Sequence, residues 1–246
     1  MIVLFTDFGP AGPYVGQMKA VLARHAPGVP VIDLLSDAPA GEPQAAAYLL
    51  AALAPDFPAD AVFLAVVDPG VGSERAAIVV EADGRRFVGP DNGLFEIVLR
   101  RAGVRRAWRI TRQPQRLSAS FHGRDLFAPV AAMIARGDPV PGEPIAEAMV
   151  RRPGWPDDLA RVVYIDHFGN AMTGLRASTI PQGATLDVAG RRLARARTFA
   201  DVAPGTAFWY ENANGLAEIA VNRGRADALG IAVGAPVGLT AAPARD

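Results

Sequence analysis

The chain has 246 residues, half of them apolar and a fifth charged, which suffices for one large domain or two smaller ones with real cores. Its 25 basic residues balance its 25 acidic ones, so no net basic field exists to hold a nucleic acid or an anionic membrane surface. With no cysteine present, disulfides, thiolate metal sites and cysteine catalysis are excluded.

The opening "MIVLFTDFG" lacks a basic leader region and a cleavage site, so it reads as structure and not as a signal peptide. It is a short apolar run ending in polar residues. "YVGQMKAVLARHAP" has helical spacing, "VPVIDLL" reads as a strand, and "EPQAAAYLLAAL" as a helix. The apolar run "AAAYLLAALA" is about half of the ~20 residues that a membrane span needs. "AVFLAVVD" is a buried strand, and "AAIVVEADGRRFVG" a hairpin with "ADG" at its turn. "LFEIVLRRAG" is a helix closed by glycine, "AWRITR" a strand, and "DLFAPVAAMIARG" a helix with proline in an early turn. Strands alternating with helices predict an α/β fold, a mostly parallel sheet covered on both faces.

The composition then shifts. "DPVPGEPIAE" and "VRRPGWPDD" are rich in proline and charge, which predicts a linker over about 141–158. Beyond it, "RVVYIDHFGN", "ATLDVAG", "TAFWYEN", "LAEIAVN" and "APVGLT" are short alternating runs with turn residues between them. The expectation is an N-terminal α/β sandwich domain over 1–140 and a small C-terminal β-barrel domain over 159–246. The whole reads as a soluble, cytoplasmic protein.

In an open parallel sheet, ligands bind beyond the carboxyl ends of the strands. Three strands here run into loops that bear acids: Thr6-Asp7-Phe8-Gly9, Asp68-Pro69-Gly70-Val71-Gly72 and Pro90-Asp91-Asn92-Gly93. Any one of them could be a plain turn. Asp7-Phe8-Gly9 is not a kinase metal triplet, since no glycine-rich loop or lysine strand precedes it. "GVGSER" lacks the glycine spacing of a dinucleotide fingerprint. A carboxylate such as Asp7 suits two adjacent hydroxyls, as on a ribose.

His122 lies in "FHGRD", just before a predicted helix. One reading has Asp125 capping that helix while His122 packs nearby. The other joins His122 to Asp68 and Arg75, since a carboxylate, a guanidinium and an imidazole can hold and polarise one water. In "IDHFGN", Asp166 could meet an ammonium, Phe168 could stack on a flat base, and Asn170 could pair with its edge. Taken alone, Phe168 reads first as a core aromatic. With three histidines and no cysteine the donor set for a metal is thin, and none is expected.

"TDFG", "YVGQMK", "VDPGVG", "PDNG", "FHGRDLFAP", "IDHFGN" and "GLAEIAVNRG" follow in an order that resembles the S-adenosyl-L-methionine (SAM) hydroxide adenosyltransferases. These are also called SAM hydrolases and are relatives of the fluorinase and chlorinase enzymes. The resemblance spans residue 2 to about 240. It implies hydrolysis of SAM, as substrate and without cofactor, to adenosine and methionine. It also implies a homotrimer with sites between the N-terminal domain of one subunit and the C-terminal domain of the next. The implied water-activating set is Asp68, Arg75 and His122. Asp7 would bind the ribose and Asp166 the methionine. Phe168, Asn170 and Phe199 would meet the adenine, while Asn212 and the backbone near Ala213 and Asn214 would face the methionine end. The chain departs from the family at Gly12, where an acid is usual, and near Ala40, where an aromatic is usual. A halogenase, a SAM- or adenosine-binding sensor without turnover and a metal-dependent hydrolase remain as alternative readings. The halogenating relatives lack the acid found at 68.

Overall fold

The computed structural model describes residues 1–241. The chain forms two compact units, Met1–Trp155 and Pro156–Asp246. It is a mixed α/β protein, with one large sheet of parallel and antiparallel strands in the first unit and two smaller antiparallel sheets in the second.

The first unit alternates β1 (Ile2–Thr6), α1 (Tyr14–His25), β2 (Val31–Leu35), α2 (Pro43–Leu53) and β3 (Val62–Val66). It continues with β4 (Ala77–Ala82), β5 (Arg85–Pro90), α3 (Glu96–Arg101), β6 (Arg105–Ile110), α4 (Ala128–Ala135) and β7 (Gly142–Ile145). The sheet order is β2-β1-β3-β5-β4-β6-β7. β2, β1, β3 and β5 run parallel; β4 joins β5 as the expected hairpin and pairs antiparallel with β6.

Alternation along the strands makes two buried faces. Ile2, Leu4, Val62, Leu64 and Val66 share one core with Met18 and Leu22 of α1 and Val130 and Ile134 of α4. The intervening Val3, Phe5, Phe63 and Phe87 are equally buried, and Phe63 stacks on Phe87 with ring centroids 4.8 Å apart. Central strands buried on both sides therefore read as continuous apolar runs.

Much of the expected linker belongs to this unit. Pro144 sits in β7, which pairs only with β6, and an edge strand tolerates a residue that cannot donate on its outer side. Arg151 and the backbone N–H of Arg152 then bond the buried carboxylate of Glu96, which Arg100 also holds. Proline and charge here mark an edge strand and an ion-pair network.

The second unit is all β apart from single helical turns. Its strands are β8 (Leu159–Ile165), β9 (Ala171–Arg176), β10 (Thr185–Val188), β11 (Arg191–Leu193), β12 (Ala207–Glu211), β13 (Leu216–Val221) and β14 (Gly238–Thr240). They form sheets β12-β13-β9-β8 and β11-β10-β14 around a core that includes Trp209, Ile219, Leu186 and Val162. Backbone bonds from Trp209 to Ala194 and from Val237 to Ala160 tie the flanks of the two sheets.

Candidate active site

The order β2-β1-β3 makes a topological switch point. The chain leaves β1 toward β2 and leaves β3 toward the other side, which opens a crevice between them. Thr6 pairs with Val66, so Asp7 and Asp68 follow the paired ends of two adjacent strands. Asp7 accepts a 2.9 Å bond from Gly41 N–H in the loop after β2. Burial pushes its carboxyl above the usual range against that bond, and nearby Asp68 adds to the rise.

Beyond β3 the chain turns tightly, with Val71 N–H donating to the Asp68 carbonyl and Ser73 N–H to that of Gly70. Gly72 has a φ of +82°, and a Cβ there would lie 2.6 Å from the Ala119 carbonyl oxygen, so only glycine fits. The turn returns Arg75 onto Asp68. Arg75 Nε lies 2.9 and 3.0 Å from the two carboxylate oxygens, and Nη2 donates to Oδ2 as well. The same Nη2 lies 3.0 Å from His122 Nδ1.

His122 is 9% exposed and opens a wide helical turn, Gly123–Phe127, that leads into α4. Phe121, Leu126 and Phe127 belong to the sheet's core, and this anchors the imidazole at the strand ends. The guanidinium of Arg75 lies over the Phe127 ring, 5.2 Å from its centroid. Burial and the Arg75 cation hold His122 below its ordinary pKa, while Asp68 and Asp125 oppose them. Asp125 does not cap the helix. It accepts from Ser118 N–H and Arg124, and so fixes the loop before His122.

In the second unit, Asp166–Asn170 is a tight turn between β8 and β9. The Asp166 carboxylate accepts from the Asn170 backbone at 2.8 Å and from its side-chain amide at 3.2 Å. Gly169 has a φ of +82°, and a Cβ there would fall 2.8 Å from Arg225 Nε and Asp227 Oδ1. Phe168 is 70% exposed and, among the described ring pairs, meets only the His167 ring, edge-on at 5.6 Å, so it is not a core aromatic. Phe199 meets the rings of Phe208 and Tyr210 edge-on, at 5.2 and 5.4 Å.

Asn212 is bound within its own turn. Its amide donates to Glu218 at 2.8 Å, and its side-chain oxygen accepts from Asn214 and Leu216 N–H. These bonds build the 212–216 turn and use the side-chain oxygen and one of the two amide N–H groups.

Residues 2–142 match the family model of the SAM hydroxide adenosyltransferase N-terminal domain, and residues 160–238 match that of its C-terminal domain. The chain belongs to the SAM hydroxide adenosyltransferase family. A relative from Thermus thermophilus named (R)-S-adenosyl-L-methionine hydrolase is 42% identical, over 97% of this chain and 98% of that protein. One of the same name from Salinispora arenicola is 42% identical, over 96% of each. A crystal structure of an uncharacterized conserved protein from Thermotoga maritima superposes with a TM-score of 0.86 at 31% identity, covering 97% of this chain and 99% of that one.

Within this family member, each unit gathers its own expected residues: Asp7, Asp68, Arg75 and His122 in the first, Asp166, Phe168, Asn170, Phe199 and Asn212 in the second. Two neighbours escaped the sequence reading, Tyr210 and Glu218. The signal was present: in "LAEIAV" every position is buried, so its acid had to be buried too.

Proposed function

We propose that the protein hydrolyses SAM to adenosine and methionine by attack of a hydroxide-like oxygen at C5′. The observation that carries this is Arg75 bridging Asp68 and His122 at the switch-point crevice. SAM is a sulfonium. An O–C5′ bond forms as the C5′–S bond breaks, its electron pair passes to sulfur, and methionine leaves as a neutral thioether. Charge disappears in the transition state, so a site that excludes water favours the step. The attacking water must also lose a proton.

An arginine only donates, so His122 Nδ1 accepts from Arg75, and the neutral ring carries its proton on Nε2. On that assignment His122 holds the oxygen nucleophile as a donor and is not its base. Asp68, the acid of the three, takes the proton. A carboxylate beside the nucleophile also disfavours a halide. Asp7 would take the ribose hydroxyls, Phe168 and Phe199 the faces of the adenine, Asn170 its edge, and Asp166 the methionine ammonium. The reading needs no metal or cofactor, so a chelator should leave turnover unchanged.

The same reading extends to a cytoplasmic homotrimer, with each site shared between the larger unit of one copy and the smaller unit of the next. In the smaller unit, the bonds joining the flanks of its two sheets support a closed barrel.

The deciding experiment is incubation with SAM, without halide, and chromatography for products. Adenosine and methionine should appear in equal amounts; SAM recovered unchanged would sink the reading. His122→Ala should lower turnover by roughly 10²-fold, the cost of losing a group that positions the attacking oxygen. His122→Gln places an N–H where Nε2–H was, and should keep turnover within about tenfold of the native enzyme on the same positioning argument. A Gln variant as inactive as the Ala variant would return His122 to the role of base.

A further inference from the structure

Glu218 is a carboxylate that the chemistry above does not use. It lies mid-strand in β13 and is 2% exposed. A buried acid persists only where its oxygens are satisfied. Here Oε1 accepts from the Tyr210 hydroxyl, and Oε2 accepts from the Asn212 amide at 2.8 Å. No lysine or arginine is among these partners. The two donors come from β12 and from the turn after it.

We propose that Glu218 is a positioning residue, the shared acceptor that fixes Tyr210 and the 212–216 turn for binding the adenosyl group. The inference rests on the function proposed above. Tyr210 braces Phe199, whose ring it meets at 5.4 Å. Asn212 uses its side-chain oxygen and one amide N–H to shape the 212–216 turn, and one of that turn's anchors is Glu218. Burial and the nearby Asp166 charge push the Glu218 carboxyl up, and the hydrogen bonds from Tyr210 and Asn212 oppose them.

The test uses the full chain and adenosine as the probe in calorimetry, with turnover of SAM measured separately. Glu218→Leu fills the space but leaves two donors, the Tyr210 hydroxyl and the Asn212 amide, without an acceptor. It should weaken adenosine binding, and raise KM for SAM, by roughly tenfold or more, with kcat changed much less, the scale expected when buried donors lose their partner. Glu218→Gln keeps an acceptor for Asn212 and can donate to the Tyr210 oxygen, so it should bind within about threefold of the native protein on the same scale. Glu218→Asp draws the carboxylate back by one methylene and should weaken binding as the Leu variant does. If the Leu variant fails to fold, the Asp variant carries the test. Native-like adenosine binding in folded Leu or Asp variants overturns the proposal. So does native protein that does not bind adenosine. Native protein that binds adenosine but does not turn SAM over defeats the proposed reaction and leaves Glu218 to be judged on binding alone.

Discussion

At the scale of single residues, the proposed chemistry turns on Arg75. It donates to a carboxylate on one side and to an imidazole nitrogen on the other. Protonation of His122 at Nδ1 would place a donor against a donor. The neutral ring is therefore the active form, and activity should fall as the pH drops through the His122 pKa. That value lies below the ordinary 6.5, first because of burial and then because of Arg75. Arg75→Gln removes the cation but keeps the burial, so the acidic limb of kcat/KM should move upward as overall turnover drops. A limb that stays in place would mean that a different group titrates there. The members of this trio were legible as residue types at strand ends, but their meeting was not. Asp68 and Arg75 are seven residues apart, and only the Gly70 and Gly72 turn folds one onto the other. His122 arrives from a segment 47 residues further on, placed by Phe121 and Phe127 in the core.

At the scale of elements, strands and helices of the first unit follow from periodicity, because buried parallel strands and amphipathic helices leave plain patterns. The segment after 141 misled for a physical reason: proline and charge look the same in a solvated linker and in an edge strand followed by an ion-pair network. Glu96 shows the difference. It is 0% exposed and held by Arg100, Arg151 and the Arg152 N–H. Removing one partner of such a set costs roughly 3–5 kcal/mol. Glu96→Leu should therefore lower Tm on the order of 10 °C in thermal unfolding, and an unchanged Tm would show the network to be ornamental. The turn between β8 and β9 is constrained more tightly. Gly169→Ala must place a Cβ against Arg225 and Asp227 at a positive φ, at a cost of roughly 1–2 kcal/mol for the backbone alone. Since this turn aims Phe168 and Asn170, adenosine binding should weaken more than Tm falls. The reverse order would assign the turn to folding and not to binding.

At the scale of the whole molecule, the proposed site draws on both units: the water-activating set and Asp7 for the ribose belong to the first, and the aromatic and amide set to the second. A division of this kind allows a site to be shared between copies, and the proposed trimer makes a quantitative claim that the single chain cannot. His122→Ala disables only the first unit's contribution and Asn170→Ala only the second's. Homogeneous enzyme of either kind should be nearly inactive. If each site joins neighbouring copies, random mixing of the two chains in closed trimers restores about a quarter of the sites, because each site needs an intact first unit beside an intact second one. If each site is built within one chain, every site keeps a defect and mixing restores none. Light scattering against the 25.8 kDa chain mass fixes the number of copies, and differently tagged chains show that the trimers are mixed. Recovery near a quarter in mixed trimers would place the water-activating residues and the adenosine-binding residues on different copies. No recovery in demonstrably mixed trimers would confine each site to one chain.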